Sequence, residues 1–130
     1  TDISARVLLR ARDGTYDTDT VDDVPPALRH THFEAVAGAP DRLRVAQATR
    51  SLVQFARLNL MGDWPMQGPF DVILCRNVMI YFDAPTQRRV LERIHRVLKP
   101  GGMLFVGHAE NFSESRDLFT LRGKTVYERR

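Results

Sequence analysis

Apolar residues recur along the chain at two spacings, and each spacing predicts an element. Phe70-Asp71-Val72-Ile73-Leu74-Cys75 contains four consecutive apolar residues, the pattern of a strand covered on both faces in an α/β sheet. The run stops abruptly at Arg76-Asn77, and Tyr81 follows five residues after the arginine. Beyond Asp83, a capping carboxylate, Val90, Leu91, Ile94, Val97 and Leu98 repeat at helical spacing, and Lys99-Pro100-Gly101-Gly102 predicts the stop. Residues 103–106 read as a second apolar strand. Residues 118–121 and 125–128, joined around Gly123, predict a terminal antiparallel hairpin.

Upstream, residues 1–3 read as the tail of a strand. Ser4 then caps a helix through Arg12, with Val7, Leu8 and Ala11 on one face and Gly14 as the stop. An acidic stretch follows, holding Asp13, Asp17, Asp19, Asp22 and Asp23. Counted from Asp13, Thr18 and Val24 stand where a calcium loop needs its glycine and its glutamate, so the stretch is expected to be a solvated loop. Val24-Pro25-Pro26-Ala27-Leu28-Arg29 predicts a short helix with proline in its first turn. Residues 32–36 and 43–47, around the turn Gly38-Ala39-Pro40-Asp41, predict a hairpin, and residues 51–55 a third strand. Residues 24–55 thus read as a small antiparallel β subdomain inserted in the main fold. Leu58-Asn59-Leu60-Met61 leads into a turn-rich loop. The order of strand end, helix, insertion, strand, helix, strand and hairpin is α/β with an antiparallel finish.

Composition narrows the class. A chain of 130 residues, 43% hydrophobic and 27% charged, is an ordinary globular domain or part of one. No apolar run approaches the about 18 residues of a membrane span, and no signal peptide is visible. The start at Thr1 without a methionine suggests a cut inside a larger protein. The net charge of +3 comes almost wholly from arginines spread along the chain, which argues for a solvated surface and against nucleic-acid binding. The single cysteine, Cys75, excludes an internal disulfide, fits a reducing compartment, and reads as a small buried apolar residue.

In open α/β sheets ligands gather beyond the carboxyl ends of the strands. Arg76, Asn77 and Tyr81 would be delivered there, although Arg76 could be a strand-end cation and Tyr81 a packing aromatic. Asp2, at a strand end, could accept hydrogen bonds from both hydroxyls of a ribose or could cap the helix after Ser4. Asn59 could meet an adenine edge or fix a turn. His108 could act as acid or base or satisfy loop backbone, and Glu110 and Asn111 could border a substrate mouth or cap a following helix. Asp71 is expected to make a local backbone contact. Trp64 and Met66 could touch adenine or cover the sheet edge.

The strings Cys75-Arg76-Asn77-Val78-Met79-Ile80-Tyr81-Phe82-Asp83, Leu98-Lys99-Pro100-Gly101-Gly102 and Gly107-His108-Ala109-Glu110-Asn111-Phe112 closely resemble the bacterial chemotaxis receptor methyltransferases of the CheR type. The similarity continues through Phe119-Thr120-Leu121-Arg122-Gly123-Lys124-Thr125-Val126-Tyr127 and covers essentially the whole chain. It implies the C-terminal part of a Rossmann-like S-adenosylmethionine-dependent methyltransferase domain, residues 1–130, lacking its N-terminal glycine-loop strand. It further implies a cytoplasmic protein-glutamate O-methyltransferase acting on receptor cytoplasmic helices and releasing S-adenosylhomocysteine. Carried over by motif, Asp2 would hold the ribose, and Asn59 with Leu60 would flank the adenine. Arg76 and Asn77 would line the cofactor and substrate pocket, and Tyr81 would face the reacting centre. The β subdomain resembles one that in some members captures a receptor peptide by strand addition. A non-catalytic docking module of the same fold is the alternative. The fragment alone is expected to be inactive, and an exposed sheet edge would invite dimerisation.

Overall fold

Ser4 converts an extended entry into the first helix, α1 (Ala5–Asp13): its hydroxyl accepts the Val7 amide at 3.4 Å, and Gly14 closes the helix at φ 68°. The computed structural model describes residues 1–108, 110, 112 and 115–130, which divide into two compact units, 1–62 and 63–130.

In the first unit, α1 leads into β1 (Thr15–Asp17), a 3₁₀ turn (Thr18–Val21), α2 (Pro26–His32), β2 (Phe33–Val36), β3 (Ala39–Val45) and α3 (Gln47–Arg50). The strands form an antiparallel sheet in the order β1-β3-β2. The acidic stretch is therefore not all loop. Thr15 pairs with Arg44 and Asp17 with Arg42. Arg42 reaches Asp17 at 3.4 Å, and Arg44 reaches Asp13 at 3.3 Å. Asp17 meets its arginine across a ladder and Asp13 from the end of α1, which local patterning does not reveal.

The third strand expected at 51–55 is absent from the sheet; β1 takes that place, so the sheet draws on residues before 24. Gln47 to Arg50 coil instead, with the Arg50 amide on the Ala46 carbonyl at 3.0 Å. The apolar residues that suggested a strand, Leu52 and Val53, stand 86% and 51% exposed. The hairpin turn is also tighter than expected. Gly38, at φ 75°, lets Val36 pair directly with Ala39, and residues 40–42 find no partner on β2. Pro40, which has no amide to donate, falls in that offset.

The second unit runs β4 (Phe70–Cys75), a 3₁₀ turn (Met79–Tyr81), α4 (Ala84–Val97), β5 (Leu98–Val106), β6 (Phe119–Gly123) and β7 (Val126–Arg129). Its sheet has the order β4-β5-β7-β6, with β4 and β5 parallel and the other neighbours antiparallel. Asp83 caps α4 by accepting the Thr86 amide at 2.9 Å. The predicted apolar face of α4 is buried, through Val90, Leu91, Ile94 and Val97, alongside Leu98, Leu104 and Met79. Each such fully buried aliphatic side chain contributes about 1.5–3 kcal/mol.

β4 is the edge of the described sheet, with Val72 47% and Leu74 70% exposed while Cys75 is buried, which is the exposed sheet edge expected from the sequence. The Lys99-to-Gly102 segment, by contrast, is a wide bulge inside β5 and not a connection before it. Phe70 pairs with Leu98 and Val72 with Met103, and Gly101 takes φ 73° in between. Pairing at Phe70 and Leu98 brings the next residue of each strand together, so Asp71 forms an ion pair with Lys99 beside the expected contact with its own backbone.

Candidate functional site

The chain leaves β4 through Arg76 and Asn77 and re-enters regular structure at Met79. Asn77 holds φ 58°, the one non-glycine residue with positive φ among those described. A left-handed residue at the end of a strand swings the chain out of the sheet direction, and asparagine tolerates that conformation better than most side chains. The Tyr81 and Phe82 amides then close the 3₁₀ turn on the Val78 and Met79 carbonyls, at 3.3 and 3.0 Å. Met79 is fully buried and pins the turn to the core, whereas Arg76, Asn77 and Tyr81 face solvent. Neither the Arg76 guanidinium nor the Tyr81 hydroxyl is bonded to a described residue. Both are thus available to a ligand.

What fixes this connection is Glu110, buried at 5% exposure. Its Oε1 accepts the amides of Val78 and Met79 at 3.0 and 2.7 Å; its Oε2 accepts those of Asn77 and Gly107 at 3.1 and 2.5 Å. The carboxylate neither borders an open mouth nor caps a following helix; it staples the end of β4 to the end of β5. Gly107 allows that approach. A Cβ there would fall inside contact distance of Asn77 Oδ1, 2.9 Å from Glu110 Oε2 and 3.0 Å from Asn77 N. Sequence reasoning missed the staple, because partners 31 to 33 residues apart leave no local signal. The juxtaposed Gly107 and Glu110 are the only hint.

Burial, reinforced by the Glu110 charge, pushes the Cys75 thiol up to about 11. It is an inert core group, as its sequence context suggests. His108 is exposed in a turn. Asn111 lies outside the described residues.

The first unit gathers the remaining candidates. Asp2 forms a parallel bridge with Arg57: its amide donates to Ala56 O at 3.3 Å, and its carbonyl accepts the Leu58 amide at 3.0 Å. Two parallel segments thus end together, with Asp2 at one tip and Asn59 just past the other. Asp2 Oδ1 accepts the Ser4 amide at 2.7 Å, so the capping role is realised. Asn59 Oδ1 accepts the Met61 amide at 3.0 Å, which realises the turn role. Each retains one free polar atom: Asp2 Oδ2 and Asn59 Nδ2 are bonded to no described residue. Leu60 follows Asn59 in sequence and is half-buried. The candidates therefore fall into two clusters, Asp2 with Asn59 and Leu60 in one unit, and Arg76 with Asn77 and Tyr81 in the other.

Comparison with known proteins gives a consistent result. The family model described as "CheR methyltransferase, SAM binding domain" matches residues 1–128. The chain is 49% identical to a chemotaxis protein methyltransferase of Klebsiella aerogenes, over 97% of this chain and 44% of that protein. It is 46% identical to the chemotaxis protein methyltransferase of Escherichia coli strain K12, over 97% of this chain and 45% of that protein. It is 43% identical to chemotaxis protein methyltransferase 2 of Pseudomonas aeruginosa, over 97% of this chain and 46% of that protein. The chain spans less than half the length of these relatives.

Proposed function

The chain belongs to the CheR methyltransferase family, a family of S-adenosylmethionine-binding domains, and on that premise we propose that the protein carrying it methylates glutamate side chains on the cytoplasmic helices of chemoreceptors. The observation that carries the reading is the anchored connection after β4, which holds in solvent a guanidinium and a phenol bonded to no described residue. The domain is read as Rossmann-like and the protein as cytoplasmic. Among the described residues no helix is long and apolar enough to cross a membrane.

The residues fit the cofactor's chemistry. The free acceptor on Asp2 suits ribose hydroxyl donors, and the free amide nitrogen of Asn59, with Leu60 as an apolar wall, suits an adenine edge. S-adenosylmethionine, when bound, supplies a methyl group on a positively charged sulfur. A glutamate carboxylate is already ionised near neutral pH, so no strong general base is needed. What remains is positioning, worth up to about 7–11 kcal/mol when reacting atoms are held in line. Arg76 steers the incoming carboxylate through its planar fork, and Tyr81 orients either the carboxylate or the donor by its hydroxyl. A tight ion pair would weaken the nucleophile, so Arg76 steers and does not clamp. Asn77 lines the cofactor side of the same connection. β2 is an edge strand of its sheet, the position at which a receptor peptide would add as a further strand.

The test is transfer of labelled methyl from S-adenosylmethionine to receptor cytoplasmic helices by the whole protein that carries this chain. Arg76→Ala and Tyr81→Phe should each lower kcat/KM, Arg76→Ala by about 10²-fold. Rates unchanged in both would remove the assignment. A wild type that binds S-adenosylhomocysteine but methylates nothing would favour a docking module.

A further inference from the structure

Resting on that reading, we propose that Glu110 is a positioning residue for methyl transfer: its carboxylate sets the backbone from which Arg76 and Asn77 meet substrate and cofactor. A carboxylate offers about four lone-pair sites on two oxygens. Here each oxygen accepts two backbone amides, at 3.0 and 2.7 Å on Oε1 and at 3.1 and 2.5 Å on Oε2. No capacity is left for a ligand, which separates Glu110 from any acid, base or binding role of its own.

Three of the four amides, those of Asn77, Val78 and Met79, are consecutive and begin one residue after Arg76. They converge on one buried point because Asn77 sits at φ 58°. A non-glycine residue keeps such a conformation only where its surroundings over-determine it. Glu110 provides that determination, and the fourth amide, from Gly107, ties the same point to the end of β5. The exposed side chains of Arg76 and Asn77 thereby inherit a fixed origin. In Glu110→Gln, whichever way the amide is turned, its NH₂ faces two backbone N–H donors and the arrangement cannot persist.

The test is a double-mutant cycle in the whole protein, with receptor cytoplasmic helices and labelled S-adenosylmethionine as substrates. Glu110→Gln should lower kcat/KM, per mole of folded enzyme, by about 10²-fold. If Glu110 acts through the connection, the Arg76→Ala, Glu110→Gln double variant should be no worse than the poorer single variant by more than about threefold. Losses that multiply would overturn the proposal, as would a Glu110→Gln enzyme with wild-type kcat/KM. Should Glu110→Gln fail to fold, Glu110→Asp, which keeps the charge on a shorter arm, carries the same cycle. If the wild type methylates no receptor helix, the glutamate reading falls alone. The cycle is then read by calorimetry with S-adenosylhomocysteine, where overlapping affinity losses support the proposal and additive ones overturn it. A wild type that binds no S-adenosylhomocysteine overturns both.

Discussion

Gly107→Ala places a methyl group directly against the Glu110 staple. The added Cβ would lie 2.9 Å from Glu110 Oε2 and 3.0 Å from Asn77 N, and closer still to Asn77 Oδ1. Ordinary contacts require several tenths of an ångström more. The Asn77 amide oxygen is the end of a side chain and can swing aside. The other two atoms cannot, because they are bonded to each other at 3.1 Å in the staple itself. Overpacking costs about 1–3 kcal/mol, and loss of one hydrogen bond to a charged acceptor about 1.5–3 kcal/mol. A destabilisation of about 3 kcal/mol follows, read as a lower urea midpoint at unchanged slope. Adding Asn77→Gly removes Oδ1 and suits φ 58°, so it should return about 1 kcal/mol. A wild-type midpoint in Gly107→Ala, or no recovery at all in the double variant, would refute the close-approach account.

Asp117 is held at about 2 by the Arg88 guanidinium, which donates to its two oxygens at 2.7 and 2.6 Å. A depressed folded value means the stabilisation is present above the ordinary carboxylate range and is lost as pH falls through about 2. In Arg88→Ala the Asp117 carbon resonance should titrate in the ordinary range, and the acid limb of the stability curve should flatten; titration unchanged from wild type would contradict the pairing. Cys75, with its thiol raised to about 11, should not react with a disulfide reagent in native protein at neutral pH. Unfolding should release one thiol, and prompt native labelling would refute its burial. Leu91→Ala, at a site 1% exposed under α4, should cost about 2–5 kcal/mol in denaturant melts, and a cost below about 1 kcal/mol would mean α4 is not packed as described.

Elements with strong local periodicity were legible in the sequence. The Ser4-capped helix, the Asp83-capped α4 with its buried face, and the closing hairpin about Gly123 follow from capping and spacing alone. What failed depended on partners distant in sequence. β1 is a strand because Arg42 and Arg44 stand opposite it, and the 51–55 stretch is not one because no strand receives it. Four apolar residues in a row identified β4 as a strand, and it forms the exposed edge of the described sheet that the sequence led one to expect. Among the site residues, the sequence singled out Arg76, Asn77 and Tyr81 as neighbours on one bend, and they are. It left Asp2 and Asn59 between ligand and local roles; the structure realises the local role and keeps one polar atom of each free. Glu110 was misjudged because its four partners are main-chain atoms, and backbone amides have no letter in a sequence.

The long reach of the Glu110 carboxylate also sets an order of events. During synthesis the bend at residues 77–79 emerges 31 to 33 positions before the group that will hold it. Until then those amides can only be satisfied by water, and the arginine ahead of them has no settled direction. The bend is therefore held only once residue 110 has emerged, and a chain stalled short of that residue would carry the whole RNVMIYF string without the shape that Glu110 gives it.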